Sequence, residues 1–211
     1  SLVEQIEEML AGKKDDLELL TERNTDTLDR DEQAALIARS FSVSQRAILT
    51  RPRFKALLEK RNAREPFNLD DLRDLSCLFA LGWFGFAAHE DNPEIGKLDR
   101  KGHGFTEDDK AYLLGAIRKA AGNVLPAWRA LVAQGRLELS TSPYYHPIVP
   151  LLCDTDVARR SLPHDPLPER FSAPDDAREQ IMRSLRAHER AFGNRARGMW
   201  PPEGSLSTAA V

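Results

Sequence analysis

Apolar positions over the first 135 residues recur at helical spacing, and the sequence reads as helix after helix. "SLVEQIEEMLAG" carries Leu2, Ile6, Met9 and Leu10 on one stripe, with Ser1 placed as an N-cap and Gly12 as a stop. "KKDDLELLTERNTDTL" is polar and reads as a loop or a short helix. "DRDEQAALIARSFSVSQRAIL" has apolar residues at Leu36, Ile37, Phe41, Val43 and Ile48. "PRFKALLEKR" opens on Pro52 at a first-turn position and closes in basic residues, as the helix dipole favours. "FNLDDLRDLSCLFALGWFGFAAHE" starts with an Asn68/Asp70 cap signal and is apolar on nearly all faces from Leu78. That predicts burial in a larger body than these helices alone supply, with Trp83 and Phe84 in the core. "DNPEIGKLDRKGHG" reads as a loop. The long stretch from Phe105 to Arg136 has Thr106 as cap, acids in its first turn, Pro126 as a kink or division and Gly135 as its end.

From residue 136 the period changes to two, with Leu137 and Leu139 against Glu138 and Ser140. Pro143, Pro147 and Pro150 end this strand in an extended loop. A proline-rich polar loop follows, then a well-capped amphipathic helix from Pro174 to before Gly193, then "RARGMW" as a short strand. Strand, loop, helix and strand predict a βαβ unit with a parallel strand pair. The expected organisation is therefore α/β, with a mostly helical region over 1–135 and a βαβ portion over 136–211. The polar constellations fall at the carboxyl ends of the two strands, the edge where parallel α/β proteins form active sites, so His146 and Glu203 are expected on one rim.

Composition bounds the picture without redirecting it. The 211 residues are 41% apolar and 30% charged, which suits a soluble chain of one or two domains. A net charge of −3, with no basic stripe interleaved with aromatics, gives no reason to expect nucleic acid. The longest apolar run, "CLFALGWFGFAA", falls short of the roughly 20 residues a bilayer demands. No basic segment precedes an apolar one at the N-terminus, so no signal peptide is read, and a cytoplasmic location is expected. Cys77 and Cys153, in apolar surroundings, read as buried free thiols in a reducing compartment. The chain opens directly into an amphipathic pattern at Ser1 and stops in "STAAV" as a helix begins, which reads as an internal fragment.

Candidate chemistry gathers in "RARGMWPPEGSLS". Pro201, Pro202 and Gly204 fix the backbone around Glu203, and Trp200 offers an aromatic wall three residues earlier. A positioned acid beside a flat apolar face is what a carbohydrate site needs; a solvated loop glutamate with Trp200 in the core is the competing reading. In "YYHP", Tyr145 and His146 can line a polar cleft or pack as aromatic neighbours. Glu138, among leucines in a strand, is expected to be buried or near the rim and to need a partner. Asp154, Asp156 and His164 hint at a metal, but their spacing favours loop capping. His89, His103 and His188 receive no role.

Two blocks, "GRLELSTSPYYHPIVPLLCDTDVA" and "FSAPDDAREQIMRSLRAHERAFGNRARGMWPPEGSLS", together resemble glycoside hydrolase family 57, the α-glucan-active amylases, branching enzymes and glucanotransferases. The resemblance implies an incomplete (β/α)7 barrel, of which this chain would hold a part, the helical region 1–135 being an insertion between barrel strands. It implies a retaining double displacement on α-1,4-glucans with Glu203 as nucleophile, and Glu138, Tyr145, His146 and Trp200 near the substrate. It implies no metal and no organic cofactor. The family's acid/base aspartate would follow Val211 and its first-strand histidine would precede Ser1, so the isolated chain is expected to be inactive and to self-associate through exposed strand edges. "EGS" after the motif is closer to the α-amylase-like branch than to the branching enzymes. The alternatives are a helical carbohydrate-binding or protein-interaction module, and a metal-dependent carbohydrate deacetylase using His146, Asp154, Asp156 or His164.

Overall fold

The computed structural model describes residues 2–211, so the N-cap expected at Ser1 lies outside the described residues. The chain forms two compact units, Met9–Asn123 and a second that joins the first stretch up to Glu8 with Val124–Val211.

The Met9–Asn123 unit is helical because its sequence is densely capped. Helix α1 (Leu2–Leu10) runs into it and stops at Gly12, whose φ is 87°. Helices α2 (Asp16–Glu22) and α3 (Arg30–Arg39) start in reciprocal capping boxes, Asp15 with Glu18 and Asp29 with Glu32. Ser44 caps the short α4 (Gln45–Leu49), and Pro52 opens α5 (Pro52–Asn62), which ends in Lys60 and Arg61. Helix α6 (Leu69–Leu81) begins in an Asn68–Asp71 capping box and is the hub of the unit. Its Leu75, Cys77, Leu78 and Leu81 are fully buried in one cluster with Phe54 and Leu57 of α5, Phe105 and Leu113, and its Leu72 in a second cluster with Leu28 and Leu36. Its neighbours within the unit thus bury it, without the larger body that its pattern called for. Burial pushes the Cys77 thiol up, out of the reactive range.

Two readings need correction here. Helix α6 ends at Gly82, before Trp83, and the indole is 61% exposed instead of lying in the core. The stretch read as a loop holds helix α7 (Phe86–Asp91) in part and all of α8 (Pro93–Lys101). Asn92 caps α8, Pro93 takes its first position, and Gly102 turns left-handed at φ 71° to end it.

Buried charge ties the unit together. Asp71 and Asp74 of α6, both nearly inaccessible, receive Arg53 at 2.8 Å each, and Lys60 reaches Asp71 at 2.7 Å. A second network centres on Glu107 at the start of α9 (Glu107–Ala133), where the Thr106–Asp109 capping box also forms. Buried Lys110 donates to Glu107 at 2.6 Å, to the Arg23 carbonyl at 2.6 Å and to the Thr25 hydroxyl at 3.2 Å. Arg73 and the Thr25 amide donate to the other Glu107 oxygen. Burial alone raises the Glu107 carboxyl, but the hydrogen bonds from Lys110, Thr25 and Arg73 outweigh it and hold the group at about 2.

Helix α9 passes Pro126 undivided and ends before Gly135, where φ is 68°. Beyond it, the expected βαβ unit does not form. The described residues contain no sheet, so a partial (β/α)7 barrel is not what this chain builds, and the strand edges expected to drive self-association are absent. A single parallel bridge, Thr141 with Met199, stands where two strands were expected. The physical reason is local. Prolines 143, 147 and 150 have no N–H to extend a ladder, and no third segment pairs with this one. The rest is α10 (Val149–Cys153), a 3-10 turn over Thr155–Arg160, and α11 (Pro174–Phe192). Helix α11 is placed as its caps predict, from Pro174 to a left-handed Gly193. It buries Ala177, Ser184, Ala187, His188 and Ala191. Among the described residues no helix is long and apolar enough to cross a membrane.

Candidate functional site

The lone bridge positions the site. The Thr141 amide donates to the Gly198 carbonyl at 3.1 Å, the Trp200 amide donates to Thr141 at 2.7 Å, and the Ser142 hydroxyl donates to the Trp200 carbonyl at 3.0 Å. Each clasped segment then turns sharply. On one side Pro202 is buried, and Glu203 sits in a 3-10 turn (Pro202–Gly204) at φ 54° and ψ 20°. On the other, the His146 amide closes a turn onto Pro143 at 2.9 Å, and His146 has φ 59°.

A non-glycine residue at such a φ crowds its own Cβ, which costs about 1–2 kcal/mol. Three do so among the described residues, Arg64, His146 and Glu203. Two of the three face each other, with His146 Nε2 3.8 Å from Glu203 Oε1. Both side chains remain open to solvent, 54% and 76% exposed. Strain retained at an exposed acid and its neighbour contributes nothing to packing, which makes this pair the candidate site.

Helix α11 holds the histidine turn from behind. Gln180 accepts two consecutive amides there, Tyr144 through its main-chain carbonyl at 3.1 Å and Tyr145 through Oε1 at 2.8 Å. The Arg183 guanidinium lies over the Tyr144 ring at 4.3 Å and the Tyr145 ring at 5.6 Å. Tyr144 is buried, and Tyr145 packs edge-on against it with 67% of its surface exposed. Neither Gln180 nor Arg183 was picked out from the sequence. Their signal is positional, three residues apart on a helix that follows the histidine block.

Glu203, His146, Tyr145 and the 62% exposed Trp200 thus stand on one pair of clasped segments. Glu138 does not join them. It is exposed and not in a strand, and it lines a separate 460 Å³ hollow with Arg136, Arg195, Arg197 and buried His188. His188 itself contacts Asn194. Asp154 caps the Thr155–Arg160 turn and accepts from Arg170 Nη2 at 2.7 Å and Nε at 3.0 Å, which lowers its carboxyl below the usual range. Asp156 also pairs with Arg159 at 3.2 Å. Asp154 thus acts as a loop cap and Asp156 as an ion-pair partner, His164 is exposed, and the described residues gather no set of three metal-ligating side chains.

Known proteins add one firm result. The sequence matches the family model described as glycosyl hydrolase family 57 over residues 7–211. No curated protein and no solved structure matches it. The family match spans nearly the whole chain, including both units and the clasped Glu203 turn, so this protein belongs to glycosyl hydrolase family 57 and is a glycoside hydrolase.

Proposed function

We propose that the protein is of the retaining type and acts on α-1,4-glucans, with Glu203 as the nucleophile. The observation that carries this reading is the strained, solvent-open pair, Glu203 at φ 54° with His146 at φ 59°, 3.8 Å apart. An acid held on a rigid turn with a free carboxylate can approach an anomeric carbon with little loss of conformational freedom. One Glu203 oxygen bonds to that carbon while the glycosidic C–O bond breaks, giving a glycosyl ester. A second carboxyl, about 5–5.5 Å away in retaining enzymes, protonates the departing oxygen. Water then releases the sugar in hydrolysis, and a glucan hydroxyl does so in transfer. His146 steers the carboxylate and offers a ring nitrogen to a sugar hydroxyl. Tyr145 and Trp200 present open faces to the apolar side of the pyranose. The chemistry calls for no cofactor.

The test uses a fluorinated α-glucosyl fluoride, because fluoride departs without a proton donor and the nucleophile is therefore read alone. Digestion and mass spectrometry are expected to find the glycosyl adduct on the peptide carrying Glu203. An adduct on another carboxylate, or none, overturns the assignment.

A further inference from the structure

The Met9–Asn123 unit has a hollow that the Glu203 chemistry does not use, with a volume of 250 Å³. Its floor is apolar, made by Phe79, Ala80, Leu114 and Ile117. Trp83 forms one wall, an exposed indole whose orientation is set by edge-on contact with Phe79, ring centroids 6.1 Å apart at 85°. An exposed tryptophan that is nonetheless held in place has an open face already ordered, so covering it costs little side-chain entropy.

The rim is charged, with the carboxylates of Asp15, Glu18 and Glu22 beside the Arg118 guanidinium. Glu22 pairs with both Lys14 and Arg118. Burial works to raise the Glu22 carboxyl, and hydrogen bonds from Lys14 and Arg118 overcome it and keep the group low. Asp15 and Glu18 are engaged in the cap of α2. The buried Thr21 hydroxyl is taken by the Leu17 and Glu18 carbonyls at 2.9 and 3.0 Å. Every carboxylate of the rim already has a partner, Glu22 in its ion pairs and Asp15 and Glu18 in the α2 cap. The rim's carboxylates and guanidinium still offer lone pairs and N–H groups that a pure hydrocarbon cannot use. An apolar floor and wall under a rim of paired, planar hydrogen-bonding groups fit a neutral polyol with one C–H face. At 250 Å³ the space lies below the roughly 300–1,000 Å³ of sites for drug-sized ligands, so it suits one ring and not a chain.

We propose that this hollow is a second carbohydrate-binding site, holding one glucosyl ring of an α-glucan against the face of Trp83. The choice of glucan rests on the function proposed above; the choice of a sugar rests on the hollow and on the family.

The three tryptophans make the test direct, because each indole N–H gives its own signal in a two-dimensional nitrogen–proton spectrum. Trp83 reports on the hollow, Trp200 on the Glu203 site, and Trp128 serves as reference. Maltoheptaose added to the whole protein is expected to shift the Trp83 signal saturably while Trp128 stays. Followed at the Ile117 amide, Trp83→Ala is expected to weaken binding about tenfold, the scale of one lost aromatic face. Glu203→Gln is expected to leave that binding unchanged. If Trp200 shifts and Trp83 does not, the second site is refuted and the Glu203 reading stands. If neither shifts, the second site is again refuted, and the fluoride adduct decides the other question separately. Equal shifts at Trp83 and Trp128, or equal response to a β-linked cello-oligosaccharide, also refute it.

Discussion

Two glutamates of this molecule stand in opposite surroundings. Glu107, in the Met9–Asn123 unit, is surrounded by Lys110, Arg73 and Thr25, and every contact serves to hold helices together. Glu203, in the unit containing Val124–Val211, sits at a strained φ with its carboxylate open and one histidine 3.8 Å away. The first unit has a core of fully buried leucines around α6; the second rests on a helix that buries mainly alanines, with a clasp of a few hydrogen bonds. The buried charge network and the candidate nucleophile thus lie on different stretches of one chain. A carboxylate committed to three donors is a poor nucleophile, and one with a single distant neighbour is a poor staple.

The sharpest way to break this division is at Glu203 itself. Glu203→Gln is expected to remove fluoride-dependent labelling entirely while moving the urea midpoint little, since an exposed substitution that keeps the same backbone changes stability by about 0.5 kcal/mol or less. The opposite change is Lys110→Ala, which leaves Glu107 without its closest partner. It is expected to cost about 3 kcal/mol in urea denaturation, the range for removing one partner from a buried pair.

Acid probes the same contrast without a mutation. Glu107 is held at about 2 in the fold against an ordinary value of 4.5, so its contribution is complete above about pH 4.5 and is lost as pH falls toward 2. Roughly 3 kcal/mol of stability should disappear over that window, and the Lys110→Ala protein should lose less of it. The smallest expected effect sharpens the role of strain. His146→Gly relieves the left-handed backbone and is expected to cost no stability, gaining at most about 1 kcal/mol by urea denaturation, while maltoheptaose binding read at Trp200 weakens. A loss of stability there would mean that His146 is a packing residue.

Much of the helical order was legible because its punctuation is local. Pro52 and Pro174 open helices, Asn68 and Thr106 cap them, and Gly12, Gly135 and Gly193 end them, each acting within one turn of itself. Helix α8 carried the same marks, Asn92, Pro93 and Gly102, but their closeness reads as a loop when only nine residues lie between the ends. The strands misled for a converse reason. Alternation at Leu137 and Leu139 describes a surface that could pair, and pairing depends on a distant segment that local pattern cannot supply. Trp83 was misplaced because hydrophobicity counts an indole as core wherever it follows an apolar run. In the candidate site, the residues named for chemistry, Glu203 and His146, are brought together. Their supports, Gln180 and Arg183, are ordinary helix residues whose importance exists only once α11 lies against the tyrosines.

The clasp has a kinetic side as well. The hydroxyl of Ser142 and the carbonyl it meets on Trp200 are 58 positions apart, whereas the turns of α6 close over four. Loop-closure entropy has to be met before so distant a contact returns anything. By that ordering alone the helices nucleate early and the two sharp turns come into register late. Such long-range bonds are also the ones expected to part ahead of the helical turns in local unfolding. On this ordering a nascent or partly opened chain of this protein has its helical scaffold before His146 and Glu203 meet, and it parts them before it loses the scaffold.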